Sequence, residues 1–258
     1  MHMKTVPNIK DLQSGTVTSM IHAKLRGDII AAALGPGARL KINEICSAYS
    51  VGLAPVREAL NRLAQEGLVS HSDHKGFTVA GVSKEDLEDL TKARCWISEI
   101  ALRQSIAAGD DQWEEHIVVS FHRMKRMNRF NDNGNPTPNP DWEAGHRNFH
   151  SSLLSACPSR RLLEYGEELF SQADRYRSLA AMANVSTMFR STTSHQEIMD
   201  AVLKRDTELA VNLLLTHYQE TCRDLLNHWE NAMELWRDSA RNRALASSRS
   251  KGGTFRAG

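Results

Sequence analysis

Four histidines in the second half of the chain have the residue type and spacing of a metal site. His146 and His150 stand four apart in the run HRNFH, which puts two imidazoles on one helix face, one turn apart. His195 (in HQEIMDAVLKRD) and His217 (in HYQE) lie on later segments. Two ligands from one helix and one from each of two others can converge inside a helical bundle. Imidazole favours zinc, nickel, copper or iron over calcium. A histidine pair at this spacing is also common as surface decoration, so the neighbouring residues matter. Phe149, Leu153, Ile198, Val202, Leu213 and Leu214 turn part of each helix toward a core, where a histidine without a partner is costly. Glu143 or Glu197 could serve as a base beside such a metal. No compelling nucleophile or cofactor signature accompanies them, and an enzyme is not expected.

A second group of residues has the chemistry of DNA contact. Pro55 suits a helix start, because its missing N–H costs nothing there. Arg57 follows in the first turn, where it can read a guanine edge bidentately or clamp a phosphate. Backbone donors at the helix N-terminus can add to that hold. Arg39 and Lys41, just before the preceding helix, can touch the DNA backbone, as can Arg62 and Arg26. His74, Lys75 and Gly76 fall at the tip of a hairpin, with Gly76 allowing close approach to a duplex.

The elements that must carry these residues are legible from periodicity. Ile21, Leu25, Ile29 and Ala32 mark an amphipathic helix over 18–33, ended by Leu34-Gly35-Pro36-Gly37. A short helix follows at Ile42–Tyr49, then a tight turn, then a helix from Pro55 to near Gly67 that buries Val56, Leu60 and Leu63. Leu68–His71 and Phe77–Val79 read as a β-hairpin. From Ser83, a helix cap followed by acidic residues, helical patterns run over 84–108, 112–130, 142–156, 160–181, 190–203 and 206–236. Asn131–Pro140 (NDNGNPTPNP) is a surface loop by composition. No strand-like alternation is seen after Ser83. The expected fold is therefore mainly α: a winged helix-turn-helix over 14–82 with a small hairpin wing, an all-helical bundle over 84–230, and a disordered basic tail over 239–258.

Bulk properties agree with this division. The net charge of +1 conceals a head (residues 1–80) at +3, a body (81–238) at −7 and a tail at +5. A basic head on an acidic body suits contact with a polyanion. No apolar run is long enough to span a bilayer, and the N-terminus has no apolar signal segment. The four scattered cysteines form no C-x-x-C pair, so reduced thiols and a cytoplasmic location are expected, with no membrane partner.

The segment PGARL…VGLAPVREALNRLAQEGLV…KGFTV resembles the head of the GntR family of transcription regulators. In that family's closest consensus, Ser-Arg-Thr precedes Pro-Val-Arg-Glu-Ala-Leu. Here Gly52, Leu53 and Ala54 stand in those places. The family's first DNA-reading arginine is thus replaced by Leu53, which can pack on a thymine methyl, and Arg57 is left as principal reader. The body, over about 85–228, resembles the FadR-type helical effector domain. Metal-binding members carry an Asp and a His four apart, then two later His. His146 takes the place of that Asp, and His150, His195 and His217 match the rest. Four neutral imidazoles around a divalent ion leave a charge of +2, where an Asp would leave +1, favouring an anionic effector. The resemblance implies a bound divalent metal, zinc or nickel, and a small organic acid effector. Arg94 would hold a second carboxylate, with Arg175 and Arg177 in DRYRSL as alternatives. WEAGHRNFHSSLLSACPS with DRYRSL is similar to the carbon-starvation-induced regulator group, which implies a glutarate-like acid. The resemblance further implies a homodimer on a palindromic double-stranded operator and repression released by the acid. The other readings are a metal-free helical domain for dimerisation or partner binding, and a metal-dependent enzyme fused to a DNA-binding head.

Overall fold

The computed structural model describes residues 14–72, 76–131, 137–182 and 192–238. The chain divides after Val82 into two compact units. The first contains α1 (Ser14–Ile30), α2 (Ile42–Tyr49), α3 (Leu53–Gln65), β1 (Val69–Ser72) and β2 (Gly76–Val79). Ile21, Leu25 and Ile29 recur every four residues on α1 and bury against Val56, Ala59, Leu60 and Leu63 of α3. Leu68, Val69, Phe77 and Val79 extend that core into the antiparallel hairpin, where Val69 pairs with Val79 and Ser72 with Gly76. The segment before α2 is stitched onto the same hairpin. Leu40 N–H donates to Phe77 O and Val79 N–H to Ala38 O, both at 2.9 Å. Those bonds fix Arg39 and Lys41 beside β2.

Two boundaries differ from the sequence reading. Helix α1 stops at Ile30 rather than residue 33. Ala32 turns left-handed (φ 53°), and Leu34 N–H reaches back to Asp28 O. The chain is therefore turned out of the helix before Gly35 and Pro36. Helix α3 begins at Leu53, capped by extended Gly52. Pro55 is its third residue, where a backbone N–H still has no helical acceptor, so the proline is compatible with the earlier start. Arg57 consequently lies in the second turn, not the first.

The second unit is a helical bundle of α4 (Lys84–Ala108), α5 (Asp111–Lys125), α6 (Pro140–Leu154), α7 (Arg160–Met182), α8 (Thr192–Leu203) and α9 (Thr207–Asn227). Side-chain caps open four of these helices: Ser83, Asp110, Asn139 and Asp206 each accept a backbone N–H of the first turn. Helix α4 packs on α7 and α9, while α5 packs on α6 and α8. Between them lies a core of Leu102, Ile117, Phe149, Leu153, Ile198, Val202 and Leu214, all fully enclosed. Polar side chains join the helices through backbone carbonyls: the Ser105 hydroxyl donates to Leu154 O (2.6 Å) and the Trp113 indole Nε1–H to Ser152 O (2.9 Å). Arg205 closes the far end of α4, donating to the carbonyls of Ile106 and Gly109 at 2.7 and 2.9 Å.

Two expectations for this unit are corrected. A two-residue strand pair, β3 (Phe130–Asn131) with β4 (Thr137–Pro138), closes the Asn/Pro loop, and α5 ends at Lys125 instead of residue 130. So short a pair needs no alternating pattern and leaves no periodic signal. The helix expected over 206–236 is broken at His228 (φ −108°, ψ 11°), and residues 229–238 resume helical geometry beyond it. The tail over 239–258 lies outside the described residues. No helix among the described residues is long and apolar enough to cross a membrane. Cys46, Cys95, Cys157 and Cys222 carry free thiols.

Candidate functional site

Asn139 and Pro140 start α6, and its register then sends His146, Phe149, His150 and Leu153 inward. Helix α8 contributes His195, and α9 contributes His217. The four imidazoles meet, with one ring nitrogen from each within 4.8 Å of every other. His150 Nε2 lies 3.1 Å from His146 Nε2 and 3.3 Å from His195 Nε2. A tetrahedral zinc at ordinary Zn–N distances would put its ligand nitrogens about 3.3–3.4 Å apart. The two spacings at His150 are close to that edge, and the cluster as a whole could hold a transition-metal ion. Burial holds the imidazoles of His146, His150 and His217 well below the usual histidine range, and neighbouring His and Arg side chains push the same way. Neutral imidazoles keep the lone pairs that a metal needs. An ion on these four residues would supply Lewis acidity and open coordination positions.

The surroundings are cationic. Arg177 on α7 donates from Nη1 to His146 Nδ1 at 2.7 Å, and its Nη2 is paired with Glu143 and with Asp174 (2.9 Å). Arg147 of α6 is paired with Glu167 and Asp174. Arg94 on α4 is different. Its guanidinium lies over the rings of Tyr218 (4.1 Å) and Phe170 (5.0 Å) and makes no ion pair among the described residues. It faces a cavity of about 230 Å³ lined also by Ser98, His150, Leu154, Phe170 and Tyr218. His150 is almost wholly enclosed, yet its Nδ1 has no hydrogen-bond partner. Burial pulls the Arg94 pKa down from the usual arginine value. Arg175 is also buried, but its electrostatic neighbours are Tyr176 and Asp86 rather than the histidines. Of the three arginines singled out in the sequence, Arg94 lines the cavity, Arg177 touches the histidine cluster and Arg175 does neither. Phe170 and Tyr218 were not anticipated. Tyr218 adjoins His217 in the sequence, whereas Phe170 gave no signal beyond being apolar. Glu143 is engaged by Arg177, and Glu197 is exposed on α8.

In the first unit, the start of α2, the N-terminus of α3 and the hairpin border a concavity of about 790 Å³. Arg39, Lys41, Leu53, Arg57 and Gly76 all line it. Leu53 is 58% exposed at the first position of α3, an unusual place for a leucine with no partner. Arg39 and Arg57 are exposed and make no ion pair among the described residues. Gly76 adopts φ +68°, a conformation that disfavours other residues. Arg26 and Arg62 are not part of this surface. Arg26 pairs with Glu66 at 3.0 Å, and Arg62 pairs with Glu58 one turn away. His74 and Lys75 lie outside the described residues. Asn43, His71 and Ser72 line the concavity as well, and the sequence reading did not single them out.

Residues 17–79 match the model of the bacterial regulatory proteins of the gntR family, and residues 89–220 match the FCD domain. The chain is 34% identical over 221 residues to the HTH-type transcriptional regulator BphR of Paraburkholderia xenovorans (strain LB400), covering 84% of this chain and 90% of BphR. It is 31% identical over 206 residues to the HTH-type transcriptional repressor GlaR of Escherichia coli (strain K12), covering 78% and 93% of the two chains. Among solved structures, a putative GntR transcriptional regulator from Rhodococcus sp. RHA1 aligns with a TM-score of 0.66 at 25% identity, over 82% of this chain and 98% of the other. With a DNA-facing head of helices and hairpin joined to an FCD bundle, and relatives aligned along most of its length, the chain belongs to the GntR family, in the FadR branch defined by the FCD domain, and is a DNA-binding transcription regulator.

Proposed function

We propose that the chain is a metabolite-responsive repressor whose hold on DNA is weakened by a small organic acid bound beside a metal in the helical unit. The observation that carries this reading is Arg94. A half-buried guanidinium that makes no ion pair among the described residues faces a small cavity lined by Leu154, Leu163 and Phe170 and also by Ser98, Ser151, Ser155 and Glu167. The orphaned Nδ1 of His150 borders the same space. A buried charge and a buried unpaired donor are both costly until a ligand satisfies them. A carboxylate satisfies both. The cavity volume, about 230 Å³, is below the usual range for drug-sized ligands, which suits a C4–C6 acid such as glutarate rather than a fatty chain. The divalent ion, zinc or nickel, would sit among His146, His150, His195 and His217.

On the DNA side, Arg57 and Leu53 would read base edges, with Arg39, Lys41 and the Gly76 turn on the backbone. Two copies would read a palindromic operator. The exposed Trp96 and Ile100, one turn apart on α4, support self-association. Repressor names among the relatives support the sign of regulation. The test is retention of operator DNA against a panel of C4–C6 dicarboxylates and hydroxy acids, with and without chelator. At least one acid should release the DNA, and Arg94→Gln should abolish that release. If no acid changes retention, the proposed effector class is wrong.

A further inference from the structure

We infer that His71 on β1 is a proton-linked DNA contact, so that the chain grips a duplex more tightly as pH falls because this imidazole takes up a proton beside a phosphate. This rests on the reading above that DNA occupies the concavity of the first unit. In the hairpin register His71 stands opposite Phe77, and residues directly opposite on an antiparallel pair share a face. The Phe77 ring is buried in the core and the His71 ring lies against it, with centroids 4.4 Å apart and planes 37° apart. Core packing thus sets where the imidazole sits. The residue is nonetheless exposed and lines the concavity beside Arg39, Lys41 and Arg57. Its ring makes no hydrogen bond or ion pair among the described residues.

The charged groups on this surface are Arg39 and Lys41 before α2, Glu44 on α2 and Arg57 on α3. The partner strand β2, with the sequence GFTV, has none. Glu44 is engaged by Lys41 at 2.8 Å. An anion for a protonated His71 must therefore come from outside the described residues, and a DNA backbone laid on the three cations brings one. Histidine is the side chain whose charge ordinarily changes between pH 5 and 8, and a negative charge within about 4–6 Å favours its protonated form. Linkage is reciprocal, so the proton strengthens DNA binding by the factor by which DNA strengthens proton binding. The gain is absent where the ring is neutral in both states, and it grows as pH falls into the range where the complex alone is protonated. Arginine and lysine do not change charge in this range, so they set the hold at high pH and His71 adjusts it.

The test uses duplexes that the full chain itself selects from a random library, with affinity read by fluorescence anisotropy at pH 8.0 and pH 6.5. A phosphate that raises a histidine from about 6.5 to about 7.5 in the complex strengthens binding about fourfold per head between these two values. The parent should show that gain, and in His71→Gln it should fall below about twofold. His71→Lys, which keeps a cation there at both pH values, should bind at pH 8.0 at least as tightly as the parent does at pH 6.5. A His71→Gln chain with the parent's full gain would mean that another group titrates, and the inference would be wrong. A His71→Gln chain weakened equally at both pH values would mean a plain polar contact and would also overturn it. The unmutated chain supplies a second measurement. Each phosphate neutralised releases counterions, so its salt dependence should be steeper at pH 6.5 than at pH 8.0, and equal slopes would refute the inference. If Arg39→Ala and Arg57→Ala chains hold DNA as tightly as the parent, the reading of the concavity falls and this inference with it. If they weaken while His71→Gln behaves as the parent, this inference alone falls.

Discussion

At the residue scale, burial decides what the histidines do. Three of the four have pKa values lowered by desolvation first and by neighbouring positive groups second. In the unfolded chain the same imidazoles titrate near 6.5. Above that pH both states are neutral and stability does not depend on these groups. Below it the unfolded chain takes up protons that the folded chain refuses. The metal-free protein should therefore lose stability as pH falls through about 6, by up to about 1.4 kcal/mol per pH unit for each histidine. Denaturant melts at pH 7.5 and 5.5 measure this, and equal midpoints would contradict the buried neutral state. Loss of a ligand should be more severe for the metal than for the fold: His150→Ala should lower zinc affinity more than about 100-fold, beyond the usual outer-shell effect, as read by competition with a coloured chelator. In the head, Arg57→Ala should weaken operator binding by about 1–3 kcal/mol, measured by fluorescence anisotropy. Arg62→Ala should cost far less, because Arg62 is already paired with Glu58. The sequence reading had placed Arg26 among the candidate phosphate contacts. The pairing of Arg26 with Glu66, 40 residues away, was invisible in sequence because no local pattern links α1 to the end of α3.

At the element scale, the helices were legible where a cap coincided with periodicity. Ser83 with Glu85 and Asp86 marked the start of α4, and its end at Ala108 also agreed. Boundaries were missed where no Gly, Pro or capping side chain marks them, as at Lys125 and at His228. Gly109 shows the packing that periodicity cannot report. A Cβ there would lie 2.0 Å from the Trp113 ring, which is itself buried and bonded to Ser152 O. Gly109→Ala should therefore destabilise the helical unit by about 1–3 kcal/mol, the cost of overpacking a filled core. Thermal unfolding followed by circular dichroism checks it. A neutral result would mean that the ring yields easily.

At the scale of the whole molecule, metal, acid and DNA should be linked. If the acid weakens DNA binding by some factor, operator DNA must weaken acid binding by the same factor. Calorimetric titration of the acid into free and operator-bound protein should show the same fold loss of affinity that the operator suffers when the acid is present, and an acid affinity unchanged by bound operator would rule the coupling out. Residue types and spacing marked the mainly helical fold and the His146–His150 pair, because caps, helical periodicity and the i,i+4 rule act between near neighbours, while resemblance to the family marked the role of the Pro-Val-Arg-Glu-Ala-Leu segment and matched His195 and His217 to further ligands. Only tertiary structure decided that His195 and His217 meet the HRNFH pair, that Arg94 is left facing a cavity while Arg147 and Arg177 are neutralised, and that Arg177 reaches His146. Those outcomes depend on how α4, α6, α7, α8 and α9 are packed together. Packing brings together side chains from distant parts of the sequence, and no short-range pattern records which of them will touch.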